Sequence, residues 1–151
     1  AAVVVVHLIY GKTHTDMMPL LSMYAGMGAV LGHNYPFYLK FKGEKGIAAT
    51  AGLIISTTNI WIVLICLAAF IAIVAATRYV SLGSMTVVTI YLISVIVYGQ
   101  HGGFGVENVS YLHEMYGVAA FLMILAFWRH RANIKRLLSG TENKISVRRK
   151  G

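Results

Sequence analysis

Beyond the apolar run that ends at Trp128, residues His130 to Glu142 read HRANIKRLLSGTE. A histidine, two arginines, a lysine, an asparagine and a glutamate thus stand at the mouth of a candidate membrane span. Histidine can remove or hold a hydroxyl proton, and asparagine and arginine can orient an anion. In a helix, the spacing of His130, Asn133 and Leu137 puts them on one face. Glu142, just past Ser139-Gly140, could pair with one of the arginines. The plainer reading is a basic amphipathic helix lying on the membrane.

Two further clusters set polar residues against apolar runs. Gly32 to Gly52 reads GHNYPFYLKFKGEKGIAATAG. Within it, Gly43-Glu44-Lys45-Gly46 has the makings of an anion nest. Glycine lets successive backbone N–H groups converge, a helix starting after it adds its dipole, and Lys45 supplies a full charge. It is not a P-loop, because GxxxxGK[ST] is absent. Glu44 would oppose a bound phosphate unless it pairs with Lys40, Lys42 or an arginine. Pro36 breaks the chain after a span, and His33 falls at the interface. Arg78-Tyr79-Val80-Ser81-Leu82-Gly83-Ser84 forms a tight connection whose arginine and serines could donate to phosphate oxygens. Ser81 would equally serve as a helix N-cap and Arg78 as a topology signal. His113-Glu114 lacks the second histidine of HExxH, so no zinc site is predicted, and no GxSxG elbow occurs. His7, His14 and His101 fall away from the basic side.

The elements that must position these clusters are membrane spans. Of 151 residues, 58% are hydrophobic and only 12% charged, with mean hydropathy +0.70. Soluble domains carry roughly 25% charged residues. The composition predicts an all-α polytopic transmembrane bundle. The net charge of +8 sits in short clusters between apolar runs. That pattern suits anionic lipid or a phosphorylated substrate rather than nucleic acid. Cys66, the only cysteine, lies inside an apolar run and reads as packing.

Apolar stretches run from Ala1 to Tyr10, Met17 to Leu31, Ile47 to Ser56, Ile60 to Ala76, Leu82 to Tyr98 and Val109 to Trp128, giving five to six membrane segments. No stretch alternates with period two, against a β-barrel. Gly26, Gly28 and Ala29 are candidates for close helix approach. The positive-inside rule puts the Lys40–Lys42–Lys45 cluster and the Arg129 to Lys150 cluster on the cytoplasmic side. Four crossings between them satisfy that parity and place Gly99 to Asn108 outside. Ile47 to Ser56 is short for a crossing, since ten helical residues rise about 15 Å. Either Thr57-Thr58-Asn59 extends it or Gly46 starts it within the leaflet. The first stretch is likewise shorter than the roughly 20 residues of a span, so residues upstream of Ala1 are expected.

In this order, the three clusters resemble the acyl-phosphate:glycerol-3-phosphate acyltransferase family of bacterial inner membranes. That family's HxxPxxxxFxGGKGxAT is matched by His33, Pro36, Phe41, Gly43, Lys45, Gly46 and Ala48, with Ala49-Thr50 bringing the threonine one place late. Its HRxNxxRLxxGxE is matched by His130, Arg131, Asn133, Arg136, Leu137, Gly140 and Glu142, and TRYVSLGS from Thr77 to Ser84 is also typical. The chain departs in having Glu44 where the family has glycine, and in lacking the family's first motif.

The resemblance implies a single integral-membrane domain over residues 1–151, short of its N-terminal part, with seven spans in the full protein. The implied reaction moves a fatty acyl group from acyl phosphate to the 1-hydroxyl of glycerol 3-phosphate, yielding lysophosphatidate and phosphate with no metal or other cofactor. His130, Asn133, Lys45 and Ser84 are expected at the reacting atoms. Gly43, Gly46, His33, Arg78, Ser81, Arg131 and Arg136 are expected to bind substrate phosphate. Pro36, Gly140 and Glu142 are expected to hold the shape of the site. The implied partners are the two substrates and membrane lipid, with the active site facing the cytoplasm. The rival reading is a non-catalytic carrier or anion-binding membrane protein, or an inactive fragment of the enzyme.

Overall fold

The structure is a computed structural model and describes residues 1–37 and 43–145. Lys40, Phe41 and Lys42 lie outside the described residues, as does the end of the second basic cluster from 146 on. Among the described residues seven helices follow one another: α1 (Ala2–Tyr10), α2 (Met18–Asn34), α3 (Ile47–Thr57), α4 (Ile60–Thr77), α5 (Val80–Gln100), α6 (Val109–Arg129) and α7 (Arg131–Leu138). Among the described residues, α4, α5 and α6 are long and apolar enough to cross a membrane. The all-α polytopic architecture is therefore that predicted from hydropathy. Its cause is general: in hydrocarbon every backbone N–H and C=O must be satisfied within its own segment, and a helix does this.

Packing separates buried from lipid-facing surfaces. The core joins Leu20, Met23 and Val30 of α2 to Leu53 and Ile54 of α3, Tyr91 and Val95 of α5, and Met115, Ala119 and Leu122 of α6. Gly26 lets α2 approach α3, because a Cβ there would strike Leu53. Gly28 has open space around it and Ala29 is exposed, so neither serves the close approach expected of them. In α4 only 11% of the most apolar window is buried, although its mean hydropathy is 2.8. An apolar helix exposed to that extent would be an aggregation site in water, whereas in a bilayer it is solvated.

The short third segment resolves in a specific way. Helix α3 stops at Thr57, and Thr58 and Asn59 continue in extended conformation, with ψ of 170° and 164°. Eleven helical residues rise about 16 Å, and two extended ones add about 7 Å. Asn59 then caps α4, its side chain accepting from the Ile62 N–H at 3.0 Å. At one end of the bundle the Glu107 N–H donates to Asp16 at 3.1 Å. At the other end α2, α4 and α6 finish while α3, α5 and α7 begin, and all three polar clusters gather there.

Candidate active site

The 43–46 loop is pressed onto the end of α2. A Cβ on Gly43 would collide with the carbonyl oxygens of His33 and Asn34 and with the Pro36 ring. Gly46 has φ +72° and lies against the Asn34 carboxamide, so glycine is required there on two grounds. Gly46 is the N-cap of α3, whose first helical bond runs from the Thr50 N–H to Gly46 O at 2.8 Å. The N–H groups of the first turn have no partner among the described residues, and with them stands the positive end of the helix dipole.

Arg129, at the end of α6, crosses to this loop. One guanidinium nitrogen, Nη2, donates to Gly43 O at 2.6 Å and to Glu44 O at 2.7 Å, and the group lies 5.1 Å from the centre of the Tyr35 ring. The Glu44 carboxylate stands 3.5 Å from His33 Nε2, so the partner it has among the described residues is a histidine rather than a lysine or arginine.

His130 sits at the break between α6 and α7, with only 1% of its surface exposed. Its Nδ1 lies 2.8 Å from Ala126 O. A carbonyl oxygen only accepts, so Nδ1 carries the proton and Nε2 of the neutral ring keeps its lone pair. Burial is the main force lowering the His130 pKa below its ordinary value. Lys45 and Arg129 push the same way, against Ala126 O and Glu142. The neutral ring is the form this position favours.

Glu142 ties α5 to α7. Its Oε1 accepts from Ser81 Oγ at 2.8 Å and from Asn133 Nδ2 at 2.6 Å, and its Oε2 accepts from Arg136 Nε at 2.8 Å. Gly140 makes this possible. With φ +70° it ends α7, the Thr141 N–H donates to Arg136 O at 2.8 Å, and the chain doubles back. Burial pushes the Glu142 carboxyl up, but Asn133, Ser81 and Arg136 together hold it below the ordinary carboxylate value. Ser81 is accordingly not the N-cap of α5. That position is Tyr79, which makes no side-chain cap bond.

Two cavities meet at this end. A polar chamber of about 180 Å³ is lined by Lys45, Ile47, Val80, Ser81, Ser84, His130, Asn133, Glu142 and Asn143. An apolar groove of about 790 Å³ runs between α3, α4 and α5, past Ala48, Ala51, Ile54, Ile55, Val63, Cys66, Leu67, Phe70, Val87 and Val88. Lys45, Ile47 and Ser84 line both.

The structure thus brings Lys45, Ser81, Ser84, His130, Asn133 and Glu142 to one chamber. Ser84 donates to Val80 O at 2.9 Å. The other cations are placed elsewhere. Arg136 is committed to Glu142, and exposed Arg131 donates to Trp128 O at 3.0 Å and covers the Trp128 ring. Arg78 is exposed with φ +63°, and its carbonyl accepts from the Ile145 N–H at 3.0 Å. His33 and Pro36 shape the loop from the end of α2 without lining either cavity. Arg129 and Asn143 are the residues that sequence reasoning did not single out. Arg129 had a faint signal, an arginine beside the candidate histidine, which also fits a topology anchor.

Fold and site together define a polytopic membrane protein with a polar chamber, lined by Lys45, His130, Asn133 and Glu142, opening onto a lipid-sized apolar groove. Residues 1–140 match the family model described as glycerol-3-phosphate acyltransferase, and the chain belongs to that family. Its relatives include proteins named glycerol-3-phosphate acyltransferase. The one from Halalkalibacterium halodurans is 45% identical over 123 residues, covering 80% of this chain and 55% of the relative. The one from Salinibacter ruber is 39% identical over 131 residues, covering 87% and 55%. The chain spans about half the length of the curated relatives it matches. Its fold is similar to that of PlsY (YgiH), an integral membrane glycerol 3-phosphate acyltransferase, in the glycerol 3-phosphate form. The TM-score is 0.66 at 24% identity, over 96% of this chain and 78% of that one. The lysophosphatidic acid form gives a TM-score of 0.65.

Proposed function

We propose that this chain carries the site for transfer of a fatty acyl group from acyl phosphate to the 1-hydroxyl of glycerol 3-phosphate, at the cytoplasmic face of a bacterial inner membrane. The observation that carries this reading is the junction of polar chamber and apolar groove at Lys45, Ile47 and Ser84. A substrate with a long tail and an anionic, activated head needs both environments side by side. The tail lies in the groove between α3 and α4, and the mixed anhydride sits at the junction, where Lys45 offsets its charge. Glycerol 3-phosphate occupies the chamber, and a phosphate takes the free N–H groups of the 43–46 loop and the start of α3.

Acyl phosphate is already activated, so the work of the site is to hold two anions together and align them. The glycerol oxygen attacks the carbonyl carbon, the carbon–oxygen bond to phosphate breaks, and phosphate leaves. The hydroxyl proton ends on that phosphate, directly or by way of His130 Nε2, whose lone pair is free in the tautomer set by Ala126 O. Asn133 is oriented by Glu142, and its remaining hydrogen-bonding capacity is available to the hydroxyl.

The test is phosphate release from palmitoyl phosphate by detergent-purified protein. It is run on the chain alone and on the chain extended with the upstream segment of the Halalkalibacterium halodurans relative. Release that depends on glycerol 3-phosphate in either form supports the reading. Saturable binding of glycerol 3-phosphate with no release from either form overturns it in favour of a binding protein.

A further inference from the structure

We infer that Arg129 is a positioning residue that sets the polarity of the 43–46 loop and so its capacity to hold a phosphate. The inference rests on the proposed role of that loop. It starts from the two short bonds that one guanidinium nitrogen makes to Gly43 O and Glu44 O. In a planar trans peptide the C=O and the following N–H point in opposite directions. Holding these two carbonyls on Arg129 therefore turns the N–H groups of Glu44 and Lys45 away from it. Neither N–H has a partner among the described residues. The clamp thus removes two partial negative charges from the loop's open side and leaves two donors there.

The local sequence makes such a clamp necessary. Glycines stand on both sides of Glu44-Lys45, and glycine opposes peptide rotation least. Where the family motif has a third glycine, this chain has Glu44, whose carboxylate is drawn aside to His33. Without Arg129, rotation of either peptide would present a carbonyl oxygen to the anion. Arg129 also precedes His130 directly, so one helix end carries both the loop clamp and the chamber's imidazole. The Tyr35 ring under the guanidinium fixes its plane, a contact that an ammonium group would satisfy less well.

The test uses Arg129→Met, Arg129→Lys and Lys45→Met in the N-terminally extended protein. For each, kcat and the KM values for glycerol 3-phosphate and palmitoyl phosphate are measured, with melting temperature alongside. Arg129→Met is expected to raise one of the two KM values about ten- to hundredfold, the range for losing hydrogen bonds to a charged group. Its kcat should change much less, and Arg129→Lys should fall between it and the parent. A lower melting temperature with both KM values unchanged would mean that Arg129 only braces the fold, and overturns the inference. If Arg129→Met does not fold, unchanged KM values in folded Arg129→Lys have the same force. Should Lys45→Met raise a KM while both Arg129 variants match the parent, the inference fails and the loop reading stands. If none of the three moves a KM, the loop reading itself fails.

Discussion

Replacing Glu142 by glutamine tests the connection between α5 and α7 with almost no change in shape. The amide oxygen can take the place of Oε1 and keep the bonds from Ser81 and Asn133. The amide nitrogen then faces Arg136 Nε at 2.8 Å, donor against donor. One hydrogen bond between charged groups is lost, and such bonds contribute roughly 1.5–3 kcal/mol. The Glu142 side chain is 5% exposed but that of Arg136 is 40% exposed, so water can rehydrate the guanidinium and screen part of the loss. The expected cost is about 1–2 kcal/mol, a fall in melting temperature of roughly 3–6 °C for a chain of this size. Cys66 is buried and is the only cysteine, which makes thiol exposure on heating a direct unfolding signal. A second signature comes from pH. The Glu142 carboxyl is held below its ordinary value in the folded protein. Its contribution is therefore present above the unfolded value of about 4.3 and lost as pH falls through the lower folded value. The parent should lose stability in that acid window, and the glutamine variant should lose less there. Equal melting temperatures at pH 7, or the same acid decline in both proteins, would refute the reasoning.

Three other outcomes are expected. Because burial above all holds His130 below the ordinary histidine value, the acid limb of kcat/KM should have its midpoint below about 6.5; a midpoint above it counts against neutral His130 in the reaction. Gly46→Ala should destabilise by about 1–2 kcal/mol for the left-handed backbone alone, with more from the collision with Asn34, whereas Gly52→Ala, in open space on α3, should be neutral or stabilising by up to about 1 kcal/mol. Melting curves of the pair distinguish the two cases. Arg78→Gly should relieve the strain of φ +63° and hold or raise the melting temperature, with KM for both substrates unchanged because Arg78 lines neither cavity; a raised KM would give Arg78 a part in binding.

What was legible in the sequence follows the range of the forces involved. The bounds of α4, α5 and α6 fall within two residues of the hydropathy reading, because lipid leaves the backbone little choice but a helix. The turn at Gly140 and the pairing of Glu142 with an arginine were also within reach, since only six residues separate Arg136 from Glu142. Ser81 is expected from sequence to donate to a phosphate or to serve as an N-cap, the second because a serine near a helix start usually finds its partner within the same turn. Here the partner is Glu142, 61 residues away, and nothing local announces it. Gly28 looked like Gly26 in sequence, and only the presence of Leu53 beside one of them separates the two.

Arg129 marks the sharper limit. Its charge at the end of an apolar run satisfies the positive-inside rule completely, so sequence reasoning had no remainder to explain. Yet its bonds go to backbone carbonyls 85 and 86 residues earlier in the chain. Backbone carbonyls occur at every residue and leave no trace in the sequence, unlike a carboxylate partner such as Glu142. A cation that works by holding main chain is therefore hidden wherever charge already has a topological explanation. In this fold the two explanations are compatible: the helix end that must face the basic side of the membrane is also the one that delivers Arg129 to the loop and His130 to the chamber.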